Sequence, residues 1–137
     1  MFRTALFIRD SGLLRALLGL GTYDDILSHP VVGMSWEGMV IENILEAAPQ
    51  GVTASFYRTA AGAEIDLLLQ FPKGGLWAIE VKSGLTPKAG RGFHNARADL
   101  IPAKSFIVYA GDERYPLVDG IEAISLRDLA VAVRANG

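Results

Sequence analysis

Apolar positions recur along this chain with two different periods, and the change of period separates helices from strands. Over residues 32–48 the spacing is that of one helix face, carried by Trp36, Met39, Val40, Ile44 and Ala47. The sequence Pro-Gln-Gly at 49–51 ends this helix. Residues 52–57, 64–71 and 76–81 are then predicted to form three strands, separated by turns at 60–62 and 72–75.

The second half of the chain predicts a helix, two strands and a final helix. Residues 90–100 read as a helix, 104–109 and 120–124 as strands, and 125–134 as a helix capped by Ser125 with Asp128 in its first turn. At the start, residues 1–21 predict a short strand, a turn and a helix capped near Asp10 or Ser11. We therefore expect a lead-in segment at 1–30 and one domain at 31–137, an α/β fold with a mixed β-sheet flanked by helices.

The composition limits the metal ligands and the binding partners that the chain can be expected to have. The chain of 137 residues has no cysteine and two histidines, so thiolate and histidine-based metal centres are disfavoured and oxygen ligands remain. A formal net charge of −2 argues against a dedicated nucleic-acid binding module, which usually carries a basic excess. The sequence shows no membrane-length apolar run and no signal-peptide pattern, so a cytoplasmic location without a membrane partner is expected.

The most informative stretch places charged residues on two adjacent predicted strands. Side chains two apart in a strand share a face, so Glu64 aligns with Asp66, and Glu80 with Lys82. Desolvated charges are strongly unfavourable unless they are paired. A bound cation together with an anionic substrate would complete the charge balance of these side chains. The pattern predicts a magnesium and phosphate site, with the apolar residues between pointing the opposite way into a core: Ile65, Ile79 and Val81.

These residues resemble a known motif. A glutamate on the first helix, Gly62-x-Glu64-x-Asp66 on one strand and Glu80-x-Lys82 on the next are similar to the restriction-endonuclease-like, or PD-(D/E)xK, superfamily. The resemblance implies a restriction-endonuclease-like sheet, one or two Mg²⁺ ions (with Mn²⁺ as a substitute) held by acidic residues, and a DNA substrate. It also implies a lysine that positions the attacking water or the scissile phosphate.

The resemblance assigns roles to particular residues. Asp66 takes the first metal-binding position, Glu80 the second, and Lys82 the place of the lysine. Glu37 corresponds to the helix glutamate of resolvase-like members, with Glu42 as the competing candidate. The sequence departs from the motif where Ile65 stands in place of the name-giving proline.

A second resemblance extends over nearly the whole chain and is to the DUF4143 domain. It rests on residues 9–14 (RDSGLL), 29–33 (HPVVG), 36–40 (WEGMV), 57–59 (YRT), 79–83 (IEVKS) and 111–113 (GDE). It implies an AAA-type ATPase domain in the same or a neighbouring chain as partner, with this chain as the C-terminal piece of a longer ATPase or a free-standing remnant of one. No Gly-x-x-x-x-Gly-Lys-Ser/Thr loop occurs here, so ATP binding is not expected of this chain itself.

Several interpretations stay open at this stage. The acidic cluster is either a magnesium-dependent nuclease site or a salt-bridged remnant in an inactive accessory domain. Arg58 is a phosphate contact or a counter-ion, and Trp36 and Trp77 are expected to pack in the core. The polar face of the 90–100 helix, with the preceding lysine, either faces DNA or is merely solvated: Lys88, Arg91, His94 and Arg97.

Overall fold

The computed structural model of the protein describes residues 35–137. The predicted lead-in strand and helix, the motifs at 9–14 and 29–33, and the first residues of the predicted 32–48 helix lie outside the described residues. The predicted boundary at residue 30 also lies outside the described residues.

Residues 35–137 contain three α-helices and six strands. The helices are α1 (Trp36–Ala47), α2 (Arg91–Leu100) and α3 (Leu126–Ala135). The strands are β1 (Thr53–Arg58), β2 (Glu64–Gln70), β3 (Leu76–Val81), β4 (Lys104–Tyr109), β5 (Tyr115–Pro116) and β6 (Ile121–Ser125), with a 3₁₀ turn at Val118–Gly120.

All six strands form one mixed sheet in the order β1-β2-β3-β4-β6-β5. The first three pair antiparallel, β3, β4 and β6 pair parallel, and β5 is antiparallel to β6. Parallel neighbours need a crossover, and α2 supplies it between β3 and β4. The expected α/β fold with a mixed sheet flanked by helices is confirmed.

The sequence reading missed β5. This strand has two residues and lies at the sheet edge, too short for an alternating pattern to reveal it. Pro116 is compatible with that place because an edge strand can do without one ladder hydrogen bond.

Helices cover both faces of the sheet and bury two apolar clusters. The cluster under α1 and α3 includes Ile41, Ile44, Trp77, Phe106 and Leu129. The cluster under α2 includes Ile65, Leu68, Phe93, Ala96 and Ile107. Trp77 is buried and Trp36 packs partly buried against the first cluster, which confirms the packing expected for both tryptophans.

Two serines start helices by accepting hydrogen bonds from free backbone N–H groups. The Ser35 hydroxyl accepts from the Gly38 N–H at 3.2 Å, and the Ser125 hydroxyl accepts from the Asp128 N–H at 3.1 Å. The predicted cap of the last helix is thereby confirmed. None of the three helices in residues 35–137 has the length and apolarity that crossing a membrane requires.

A β-bulge corrects one expectation about the side-chain faces. Ser55 pairs with Leu68 and Tyr57 with Ile65, so two β2 residues oppose the single residue Phe56. The extra residue lies at Asp66–Leu67 and shifts the alternation, which places Ile65 in the cluster under α2. Ile79 and Val81 belong to the opposite cluster, so the expected common core for these three residues was wrong.

Helix α2 lies in backbone contact with the turn between β1 and β2. A Cβ added at Gly92 would stand 2.6 Å from the Gly62 carbonyl oxygen and 3.6 Å from the Glu64 Cβ. Real Cβ atoms do not approach a backbone atom so closely, so the glycine is needed for the helix to lie at this depth.

We predict that Gly92→Ala destabilises the protein by about 1–3 kcal/mol, because overpacking against fixed backbone outweighs alanine's better helix propensity. Urea unfolding measures the change. Gly84→Ala is the matched control, since its nearest contact would be the Thr86 nitrogen at 3.9 Å. A Gly92→Ala protein as stable as the control would show that the helix shifts freely.

Ile101, the C-cap of α2, adopts a conformation that its residue type disfavours. Its φ of 49° and ψ of 62° are left-handed, a region where the Cβ of an L-residue is crowded and where glycine usually ends a helix. Its N–H donates to the Arg97 carbonyl at 2.8 Å, as a helix cap requires, yet its side chain is 82% exposed. Burial therefore gives little compensation for the strain.

Replacing Ile101 by glycine is expected to stabilise the protein by about 0.5–1 kcal/mol. Relief of roughly 1–2 kcal/mol of left-handed strain exceeds the extra entropy of glycine in the unfolded chain. Thermal unfolding of Ile101→Gly beside Ile101→Val, which keeps the branched side chain and should change little, tests this. A lower midpoint for Ile101→Gly than for Ile101→Val would contradict it.

Candidate acidic site at the β2–β3 edge

The charged residues predicted from sequence gather along the side of the sheet where several strands begin or end, which we call the acidic edge. The carboxyl ends of the parallel strands β3, β4 and β6 lie at that edge, and the antiparallel β2 begins there. Leu67 pairs with Ile79, and Asp66, the residue before Leu67, contacts the backbone N–H of Val81, the residue after Glu80. Ligand sites of open α/β sheets commonly lie at this edge.

Asp66 is attached to the neighbouring strand by its side chain. Its Oδ2 accepts the Val81 N–H at 2.8 Å, where a regular ladder would use a backbone carbonyl. The bulge turns the aspartate toward that position. Burial raises the pKa of Asp66 above its ordinary value, and the Val81 hydrogen bond opposes the rise.

Glu80 faces the α2 side of the edge. Its Oε1 lies 3.4 Å from the Lys82 Nζ, and its Oε2 accepts from the Gly90 N–H at 3.4 Å, just before α2 begins. Only 14% of the glutamate side chain is exposed. Burial raises the pKa of Glu80, the ammonium of Lys82 lowers it, and the charge of Asp66 raises it further.

Lys82 combines a fixed backbone with a partly exposed ammonium group. Its N–H donates to the Val108 carbonyl at 2.8 Å, and its carbonyl accepts the Trp36 indole N–H at 2.9 Å. The side chain is 39% exposed. The ammonium group is therefore accessible to an anion while it remains beside Glu80.

Glu37 lies beside this edge, on the first turn of α1. Burial raises the pKa of Glu37, and the negative charge of Asp66 is the next cause of the rise. Because Asp66 also raises the pKa of Glu80, the aspartate is the carboxylate that both glutamates sense. Glu42 is five positions further along α1, about 140° around the helix. These interactions favour Glu37 over Glu42 as the helix carboxylate near the site.

Arg58 pairs with an acidic neighbour on the adjacent strand. Its Nη1 lies 2.7 Å from the Glu64 Oε1, and both side chains are about half exposed. This contact supports the counter-ion interpretation of Arg58. Glu64 is thereby paired at the rim of the site.

The four basic residues expected on the α2 face do not act as a group. Lys88 and Arg91 are exposed near the start of the helix. Arg97 donates instead to the Ser105 hydroxyl at 2.7 Å and to the Asp119 carbonyl at 2.8 Å, while His94 Nδ1 lies 3.8 Å from the Asp119 carboxylate. His94 and Arg97 are thus held by contacts away from the acidic edge, with Ser105 and Asp119.

The acidic edge offers few ligands for a metal ion. Within residues 35–137, no group of three or more histidine and acidic side chains is placed to hold one. Magnesium is usually held by one or two carboxylates together with water and substrate phosphate. Asp66 and Glu80 meet that smaller requirement, because both carboxylates are poorly solvated and the charge of Asp66 raises the pKa of Glu80.

Sequence reasoning missed the groups that fix the site in place. The Val81 and Gly90 N–H groups are backbone donors, so no residue type marks them. Trp36 was expected only to pack, but its indole N–H also ties α1 to the end of β3. Its position directly before Glu37 was the one available signal.

The fold and the acidic sheet edge define an α/β domain with charged residues concentrated at the ends of neighbouring strands. The chain belongs to DUF4143, a family described as a domain of unknown function, which matches residues 32–129.

Two curated proteins are similar to the chain. Uncharacterized proteins of Mycobacterium bovis and Mycobacterium tuberculosis are each 37% identical to it over 120 residues. The match covers 87% of this chain and 26% of each relative, so the chain spans about a quarter of the relatives' length. No solved structure matches the chain.

The Asp66 contact predicts different effects of two substitutions on the free energy of unfolding. Asp66→Ala removes the acceptor for the Val81 N–H and should lower the free energy of unfolding by about 1–3 kcal/mol. Asp66→Asn keeps an acceptor and removes a charge that burial disfavours, so the metal-free protein should be no less stable than the native one. Urea unfolding in EDTA measures both, with Glu64→Gln as the rim control. Equal losses for the two variants would refute the role of the hydrogen bond.

Proposed function

We propose that this chain is a PD-(D/E)xK-type nuclease domain of a longer protein, and that it hydrolyses phosphodiester bonds of DNA with Mg²⁺. The observation that carries the proposal is the meeting of Asp66, Glu80 and Lys82 at adjacent ends of β2 and β3. Two poorly solvated carboxylates beside an accessible ammonium group favour a ligand that brings both a cation and an anion.

Each side chain has a distinct role in this proposal. Asp66 and Glu80 supply the carboxylate oxygens that would hold Mg²⁺, and the Val81 and Gly90 N–H groups keep those carboxylates oriented. The ion, when bound, would supply positive charge that offsets the charge developing on the phosphate and makes a water molecule a better nucleophile.

Lys82 would donate to a phosphate oxygen or to the attacking water, because its ammonium carries three donors and one side of it is open to solvent. Glu37, close enough to Asp66 for their charges to interact, would add negative charge to the cation site or help to position a second ion. The exposed Lys88 and Arg91, close to Gly90 and hence to Glu80, would offset the repulsion between DNA and an acidic domain.

The wider setting is also part of the proposal. The chain spans about a quarter of its curated relatives, which supports a role as one domain of a larger protein. The DUF4143 resemblance suggests an AAA-type ATPase domain as the neighbour, in the same or another chain, and a cytoplasmic location.

A second candidate function is an accessory domain in which the acidic cluster is structural. The hydrogen bonds favour this reading: the Asp66 carboxylate joins β2 to β3, and the Glu80 carboxylate joins β3 to the start of α2. In this case the carboxylates serve as cross-links between elements and no metal is needed.

Cleavage of supercoiled plasmid in Mg²⁺ or Mn²⁺ tests the nuclease. Removing a metal-binding charge or the ammonium donor should lower the cleavage rate by about 100-fold or more, so Asp66→Asn and Lys82→Met are expected to be inactive. Glu64→Gln, altered at the rim, should retain activity. Activity that is absent from the native protein, or equal in all four proteins, would remove the nuclease claim.

Metal binding separates the two candidates without DNA. Trp36 is the better reporter because its indole N–H touches the Lys82 carbonyl, whereas Trp77 lies in the core. In a Trp77→Phe background, the nuclease predicts a saturable Mn²⁺-dependent change of Trp36 fluorescence that Asp66→Asn abolishes. A flat titration, together with lost stability in Lys82→Met, would favour the accessory domain.

A further inference from the structure

A concave site lies at the opposite end of α2 from the acidic edge. It has a volume of about 340 Å³ and is lined by His94, Arg97, Ala98, Ile101, Pro102 and Asp119. Helix α2 has ten residues, so its two ends are about 15 Å apart. The volume falls within the range of small-molecule sites, and one part of the lining is polar while the other is apolar.

Arg97 is held rigidly in this pocket without being neutralised. Its Nε donates to the hydroxyl of the buried Ser105 at 2.7 Å, and its Nη2 donates to the Asp119 carbonyl at 2.8 Å. Both acceptors are neutral oxygens, so these bonds orient the guanidinium and leave its charge available. A fixed guanidinium suits carboxylate or phosphate oxygens, because little side-chain entropy is lost on binding.

One carboxylate that lines the pocket, that of Asp119, lies mostly in water. The Asp119 side chain is 65% exposed, and its Oδ2 lies 3.8 Å from the His94 Nδ1. It therefore interacts with the histidine and with solvent, while its backbone carbonyl serves the arginine. Water therefore screens the negative charge of Asp119, which would repel an anion bound at Arg97 only weakly.

Backbone strain is concentrated at the same pocket. Ile101 and Asp119 are the non-glycine residues with positive φ in residues 35–137, at 49° and 61°, and both line it. A left-handed, β-branched and exposed isoleucine weakens the fold, and strained residues cluster at ligand-binding positions. Ile101 thereby contributes an apolar side chain to the same pocket as Arg97.

We propose that this pocket binds a small molecule that carries an anionic oxygen group, a carboxylate or a phosphate, next to an apolar body. The anionic group lies against Arg97, and the apolar body lies against Ala98, Ile101 and Pro102. The site is separate from the acidic edge, and its occupancy does not depend on nuclease activity.

Benzoate and phenyl phosphate are suitable probes, with benzyl alcohol as the neutral analogue of the same size. Titrations of the ¹⁵N-labelled chain followed by NMR should give saturable shifts at residues 94–102 and 119 for one or both anions, and weak or no shifts for benzyl alcohol. Non-saturable shifts with both anions, or binding of benzyl alcohol as tight as theirs, would overturn the proposal.

Variants separate ligand recognition from folding. Arg97→Gln should weaken binding by about tenfold or more, the loss expected for one charge-assisted hydrogen bond, while Arg91→Gln on the exposed part of the same helix should not. Ile101→Gly guards against misfolding as an explanation, because it should raise the unfolding midpoint and still weaken binding. Undiminished affinity in both Arg97→Gln and Ile101→Gly would refute the assignment.

Discussion

The hydrogen bond from the Val81 N–H to the Asp66 carboxylate is the contact on which the charged sheet edge depends. It replaces a ladder bond between β2 and β3 with a side-chain bond, so the strands stay joined where a carboxylate takes the place of a backbone carbonyl. The β-bulge at Asp66–Leu67 makes this exchange possible by turning the side chain out of the regular alternation. Without that bond, a buried N–H and a poorly solvated carboxylate would both be left without their main partner.

The layers around the sheet complete the edge from both sides. On one side, the Trp36 indole fastens α1 to the end of β3 and brings Glu37 toward Asp66. On the other side, the Gly90 N–H meets Glu80, and the contact between Gly92 and Gly62 sets the depth of α2. The apolar packing of the two faces therefore positions polar groups that belong to neither core. The carboxylates are desolvated as a result of the fold, and their pKa values rise for that reason.

The extent to which the sequence predicted the structure follows from what each pattern encodes. The order of helices and strands was predictable because buried positions such as Ile44 and Ile79 are apolar and recur at the spacing of a helix or a strand. The α3 cap was predictable because a serine hydroxyl can accept a hydrogen bond from a free N–H group at the start of a helix. The bulge, β5 and the αL cap at Ile101 were not, since register and backbone conformation depend on neighbouring strands rather than on residue type. The meeting of Asp66, Glu80 and Lys82 followed from strand adjacency, whereas their backbone donors had no sequence signal.

The topology also sets an order of assembly for the charged edge. Strands β1, β2 and β3 follow one another and pair as an antiparallel meander, whereas β4 reaches β3 only across α2. Short loops close with less entropy loss than long ones, so local pairings form earlier in folding and during synthesis. Asp66, Glu80 and Lys82 all belong to the meander or directly follow it, while Gly90 and the strand that covers Lys82 arrive later. This topology favours a sequence of events in which the carboxylates meet while still hydrated and are desolvated when the parallel half of the sheet docks.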